Sequence, residues 1–424
     1  MVFASRIEKR GVIMSAGYGR RMRPLTFNLP KCLLSVCNAS FISQTIEQAI
    51  HTTRISDFYI TTHHLGGLIQ HSLGYGSRFE DGVNVNYLVE NPLVNAAQGV
   101  KRATETFEFP KKQPFWVFGG DIFAPDIDLS RIQIAHEEAF KTWQAIGTIA
   151  FTLVPMKDFV GKYGAWIIDG SEKLVRAGGI CSNENEARIV FDEIQSPYIK
   201  AQSDKAGTPL FPINTLFMIL EGNFFDKISS SQDYRDTWDF VDMFNAFSML
   251  SSFGSPRINA FYIDSPWMDI NSPEALWRAQ WFFLRNGFHS QESTYQKAVE
   301  YLANGQGEIS GSIRNSVMGR NVRLESSSIT NSVIGNGSYI ANAELDGCIV
   351  LPNSYINLRS NQPLSLKHCI VCGSTLGGTL IDPVQEKMQS SLKKKVIVVR
   401  DDGQIIHTNL NITDEDIALA FKSE

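Results

Sequence analysis

The chain has 424 residues, 43% of them hydrophobic, enough for two or three domains with sizeable cores. A formal net charge of -5 argues against a nucleic-acid binder, which should carry a basic field. No apolar run is long enough to span a bilayer, and the opening MVFASRIEKR has no long apolar segment of the secretory kind, so no membrane association is expected. The six cysteines are scattered; only Cys369 and Cys372 have C-x-x-C spacing and no second pair completes a zinc site, so buried free thiols in a cytoplasmic protein are expected.

Taken in order, Val12-Ile13-Met14 reads as a buried first strand. Gly17-Tyr18-Gly19 follows at once, with Arg20, Arg21 and Arg23 behind it and then Pro24-Leu25-Thr26 and Pro30-Lys31. Glycine admits a ligand close to backbone N–H groups, and the cations offer charge to a polyphosphate. Residues 11 to 38 are therefore a candidate triphosphate cradle, weighed against an ordinary turn followed by a solvated charged face. The stretch is not G-x-G-x-x-G, because Met22 stands at the third glycine, and it is not a Walker A loop, because no Gly-Lys-Ser/Thr follows. A helix capped by Asn38 or Ser40 should run through Ile50. Strands at 58–62, 83–90 and 115–118 alternate with helices at 65–75 and 95–105, the pattern of a mostly parallel sheet with helices on both faces. Ligands of such sheets gather at the carboxyl ends of strands, where the glycine loop and Asp121 both fall. A carboxylate there suits magnesium, although a Gly-Asp pair is also common in plain turns.

Further strands are expected at 148–155 and 258–263, and helices at 233–249 and 274–283. From about 305 the composition turns to Ser, Asn and Gly with isolated Ile or Val at roughly six-residue steps, and Asn-Ser-Val occurs at 315 and again at 331. That is the hexapeptide pattern of a parallel β-helix, favoured by the near-repeat over a small β-sandwich. In the tail, Val396–Arg400 and Gln404–His407 flank Asp402-Gly403 as a hairpin, and a short helix spans Thr413–Phe421.

The loop resembles G-x-G-x-R-x-x-P-L-T-x-x-x-P-K, the signature of the sugar-1-phosphate nucleotidyltransferases, at Gly17, Gly19, Arg21, Pro24, Leu25, Thr26, Pro30 and Lys31. Gly120-Asp121 resembles the family's G-D metal motif, with Asp128-Leu129 matching its downstream D-L. Trp267-Met268-Asp269-Ile270-Asn271-Ser272-Pro273-Glu274 resembles W-x-D-I-G-T-P-E, with Asn271 and Ser272 as departures. Tyr163-Gly164 resembles the Y-G-x-V segment, and Asn214-Thr215-Leu216 resembles N-x-G-x-Y, with Leu216 in place of glycine. The E-K-P motif is missing; FDEIQSPYIKAQ at 191–202 is its counterpart, with Glu193 and Lys200 as candidates.

The resemblance implies a Rossmann-like, mostly parallel α/β catalytic domain over 1–290, a left-handed parallel β-helix over 305–372, and a hairpin and helix tail over 373–424. It implies transfer of a nucleotide from NTP to a sugar 1-phosphate, releasing pyrophosphate, with magnesium on Asp121 and Asp269. Arg21 would hold the pyrophosphate and Lys31 the α-phosphoryl group. Ala16, Gly17, Tyr18, Gly19 and Arg20 would line the nucleotide, and Asn95 and Gln98 stand where the family's G-T-A segment meets the base. Gly164, Glu193, Lys200 and Asn214 would contact the sugar phosphate. Association into a homo-oligomer through the β-helix is expected. The altered G-T-A and missing E-K-P keep two alternatives open: a nucleotide-sugar-binding regulatory subunit, and a phosphocholine cytidylyltransferase.

Overall fold

The computed structural model describes residues 9–230, 234–250, 257–286, 309–314, 316–357, 363–373, 380–381, 391–399 and 405–421. Asp233, Asn315 and the expected turn at Asp402-Gly403 lie outside the described residues. The chain forms two compact units. The first comprises residues up to Ala16, Thr45–His63 and Ser72–Trp267; the second comprises Gly17–Gln44, His64–His71 and Met268 onward. The signature loop falls in the same unit as the C-terminal strands.

The first unit is a seven-stranded sheet. Its strands are β1 (Arg10–Met14), β2 (Asp57–Thr62), β3 (Asn84–Val89), β4 (Phe115–Gly119), β5 (Gly147–Pro155), β8 (Leu210–Leu220) and β9 (Ile258–Tyr262); β6 (Gly164–Ile168) and β7 (Leu174–Ile180) form a separate antiparallel pair. The order is β9-β5-β8-β4-β1-β2-β3. All neighbours run parallel except β8, which is antiparallel to both β4 and β5. The central strands are apolar because both sheet faces are covered: Val12, Ile13, Trp116, Val117 and Phe118 are fully buried. Strand and helix positions follow the sequence pattern closely. Helix α1 covers Phe41–Thr52, α2 covers Ala96–Thr106 behind an Asn95 cap, and α3 covers Leu129–Trp143 behind an Asp128 cap. The helix expected at 233–249 starts later, at Phe240.

In the second unit, α4 (Pro273–Asn286) precedes a parallel β-helix. Apolar side chains stack in three in-register columns. One runs Val317, Val333, Ile349, Ile370 and Val396; a second Leu324, Ile340 and Ile356; a third Ile329, Leu345, Leu366 and Leu392. Coils recur every 16 residues at first, and serine hydroxyls link them: Ser332 N–H donates to the Ser316 hydroxyl and Cys348 N–H to the Ser332 hydroxyl, each at 3.0 Å. Corners adopt left-handed backbone at Asn321, Asn331, Asn342 and Asn353, which is why asparagine punctuates the sequence. The coil does not stop at 372. Residues 391–393 and 395–399 extend the columns, and 395–399 then pairs antiparallel with 405–409 as the expected hairpin. The helix Asp414–Phe421 follows.

All six cysteines are buried and none forms a disulfide. No helix among the described residues is long and apolar enough to cross a membrane. Ile340 is fully buried between Leu324 and Ile356. Ile340→Ala should therefore lower unfolding free energy by about 2–5 kcal/mol, read by denaturant titration; a loss below about 1 kcal/mol would contradict a close-packed coil interior.

Candidate active site

The signature loop is a chain of tight turns. Three short 3-10 helices follow one another: Arg20–Met22 entered from Gly19, and Leu25–Phe27 and Lys31–Leu33 entered from the rigid prolines Pro24 and Pro30. Gly19 has φ +59°, and a Cβ there would lie 3.0 Å from Thr26 Cγ2 and 3.2 Å from Lys31 Cβ. Glycine is required on both counts. The Thr26 hydroxyl donates to Gly19 O at 2.9 Å, and a ring nitrogen of His64 lies 3.0 Å from Thr26 O. Tyr18 packs against the His64 ring at 5.3 Å. Arg20, Arg21 and Arg23 are exposed, with Arg20 over the Tyr18 ring and Arg23 over Phe27. Gly17 is exposed and Ala16 is buried.

Lys31 points the other way. Its side chain is 10% exposed, and its Nζ donates to Asn271 Oδ1 at 2.5 Å and lies 3.8 Å from Asp269 Oδ1. The Asn271 amide in turn donates to Asp269 Oδ2. Two motifs 240 residues apart thus meet in the second unit. Asn271 is the residue that joins them, at the position where the motif's usual residue, glycine, has no side chain to offer.

In the first unit, Asp121 follows Gly119-Gly120 at the carboxyl end of β4 and is half-buried. Both glycines are demanded by packing. A Cβ on Gly120 would sit 2.0 Å from Ser15 Oγ, and one on Gly119 2.9 Å from Leu216 Cβ. Asn95 caps α2 by accepting from Gln98 N–H at 2.9 Å, and its amide donates to Thr237 O and Trp238 O. Gln98 is buried and donates to the Tyr234 hydroxyl at 3.2 Å, which also accepts from Lys101. The turn before α2 is held by buried Glu90, whose carboxylate accepts from Val94 N–H at 3.2 Å; burial pushes its carboxyl up from the ordinary value.

Gly164 opens β6, and a Cβ there would lie 2.8 Å from Gly178 O. Glu193 ends the helix Glu184–Glu193 and pairs with Arg176 at 2.7 Å, whereas Lys200, on the helix Pro197–Ala206, donates to Phe191 O and lies over the Phe191 ring. The two E-K-P candidates therefore engage different neighbours. Asn214 Oδ1 accepts from Leu216 N–H at 2.8 Å across a bulge in β8, where Leu216 has φ +61°. Leu216, at the position of the motif's glycine, holds a left-handed backbone.

Residues 10–177 match the family model described as nucleotidyl transferase. Over 307 residues the chain is 24% identical to mannose-1-phosphate guanyltransferase 2 of Candida glabrata, covering 72% of this chain and 71% of that protein. It is 30% identical over 164 residues to the mannose-1-phosphate guanyltransferase of Candida albicans, and 26% identical over 279 residues to the UTP–glucose-1-phosphate uridylyltransferase of Synechocystis. The first of these pairs covers 38% of this chain and 41% of the relative, the second 64% and 62%, so the chain spans less than two thirds of either relative.

Two residues of the candidate site escape the sequence reading. Asn271 counts only as a departure from a motif until its amide is seen between Lys31 and Asp269. Glu90 has no motif at all; its signal is a carboxylate ending an apolar strand just before a helix cap. The two loop glycines should behave differently. Gly19→Ala should destabilise the protein by about 1–2 kcal/mol. Gly17→Ala should stay within about 0.5 kcal/mol, since a Cβ there meets nothing within 4 Å. Denaturant titration of both variants checks this, and equal losses would contradict the loop geometry.

Proposed function

We propose that the protein condenses an NTP with a sugar 1-phosphate to give an NDP-sugar and pyrophosphate, in the cytoplasm and with magnesium. The observation that carries this reading is the meeting of Lys31 with Asn271 and Asp269. It gathers the cation and carboxylate of two separate signature motifs at one place. The relatives named above make guanosine with mannose, and uridine with glucose, the first substrate pairs to test. The buried thiols accord with a reducing compartment. Self-association through the β-helix coils completes the proposal.

A phosphate oxygen of the sugar 1-phosphate attacks the α-phosphorus of the NTP. The new O–P bond forms as the bond to the β-phosphate breaks, and pyrophosphate leaves. No covalent enzyme intermediate is required, so positioning and charge neutralisation supply the rate enhancement. Lys31 neutralises charge growing on the α-phosphoryl oxygens, while Arg21, exposed on the loop, holds the departing pyrophosphate. Asp121 and Asp269 would hold the metal. Their oxygens are hard donors, and magnesium commonly takes one or two carboxylates with the rest from substrate phosphates and water. Bound there, magnesium would withdraw charge from the phosphate oxygens.

The test is pyrophosphate release across a panel of NTPs and sugar 1-phosphates. With the working pair, Lys31→Ala should cut turnover by roughly 10²–10³-fold while NTP affinity by calorimetry falls far less, because the charge it meets grows in the transition state. Asp121→Asn and Asp269→Asn should each lower turnover by on the order of 10²-fold or more, and EDTA should abolish it. Near-normal rates in either variant, or in EDTA, would remove the metal assignment. Binding of an NDP-sugar without pyrophosphate release from any pair would favour the regulatory-subunit reading.

A further inference from the structure

We propose that the C-terminal β-helix positions the signature loop through Asn28, a residue at an unspecified place in the motif. This rests on the transferase reading above. Asn28 lies between Thr26 and Lys31 and is 4% exposed. Its amide nitrogen donates to Gly373 O at 3.3 Å and to Val399 O. A carboxamide NH2 has two N–H donors, and here both are directed at main-chain carbonyls of the β-helix.

Those carbonyls are held in place. Gly373 N–H donates to the Ser354 hydroxyl at 2.9 Å, and a Cβ on Gly373 would come 2.9 Å from Ser354 Cα. Val399 is fully buried at the end of a strand that pairs parallel on one side and antiparallel on the other. Asn28 thus fastens the loop to the last coils.

The fastening repeats along the loop. The Asn38 amide donates to Ile334 O at 3.2 Å. Gln280 on α4 accepts from Cys37 N–H and donates to Ser35 O, both at 2.7 Å. Trp277, one turn earlier on the same helix, donates its indole N–H to Gly347 O at 3.4 Å. The loop's outer end is therefore tied to the β-helix directly and through α4. Asn28 is the tie nearest Lys31, and the turn Lys31–Leu33 begins three residues beyond it. Without that amide the turn keeps its sequence but loses its anchor, and the Lys31 ammonium no longer has a fixed origin.

The experiment compares full-length wild type, Asn28→Ala and Ile340→Ala, the last opening a cavity in the β-helix without touching the loop. Asn28→Ala should lower turnover by roughly 10–100-fold, the range expected for misplacement by about 1 Å, with KM for the sugar 1-phosphate within about threefold. Ile340→Ala should lower thermal stability but keep wild-type turnover below its transition. Adding Asn28→Ala to Lys31→Ala should cost little more, because the two act as one unit. Wild-type turnover in Asn28→Ala, equal losses in the two single variants, or additivity with Lys31→Ala would each overturn the proposal. If wild type itself releases no pyrophosphate, the transferase reading fails instead. Amide hydrogen exchange at Phe27, Leu33 and Leu34 then decides the inference: faster exchange in Asn28→Ala upholds the anchoring, and unchanged exchange overturns it.

Discussion

The Lys31 ammonium sets the terms for the second unit. A cation this far removed from water needs oxygen partners close by, and it has the Asn271 carbonyl oxygen and the Asp269 carboxylate. Asn271 serves both charges at once, its carbonyl oxygen toward the ammonium and its N–H toward the carboxylate. For this arrangement to persist, the turn beginning at Lys31 and the short strand before α4 must each hold position. The prolines, the buried Thr26 and the left-handed Gly19 do so on the loop side.

The β-helix is suited to supporting such a loop because its polar groups are satisfied coil by coil. Ser332, Ser338 and Ser354 are fully buried, and each accepts an amide from the next coil. Intervals between coils lengthen after Ile349, from Ile370 to Val396, yet the columns stay in register. Parallel stacking constrains only the paired residues. The result is a set of carbonyls and corners whose positions depend little on their connecting loops.

In the first unit, hydrogen-bonding capacity separates scaffold from surface. Asn95 spends its side chain on capping α2 and on the main chain at 237–238, and Gln98 on Tyr234. These bonds shape the N-terminal end of α2. Glu193 and Lys200 are engaged with Arg176 and Phe191. At the β8 bulge, the left-handed backbone survives replacement of glycine by leucine. Asn214 bonds the local N–H, and the Leu216 side chain fills space against Gly119. Strain of this kind persists where the surroundings over-determine the backbone.

Periodicity and local chemistry made much of the fold legible. Fully apolar runs marked β1 and β4, because a strand covered on both faces has no polar side to show. The abundance of asparagine marked a chain of tight corners, because few other side chains tolerate left-handed backbone. The loop's glycines, prolines and Thr26 were legible for the same reason: each obeys a constraint that acts within a few residues. What the sequence by itself did not determine were the relations among distant segments. The pairing of Lys31 with Asn271 spans 240 residues, and the bonds from Asn28 reach Gly373 and Val399, carbonyls that carry no residue-type signal. Main-chain acceptors are identical at every position, so only the tertiary structure decides which of them a buried amide will find.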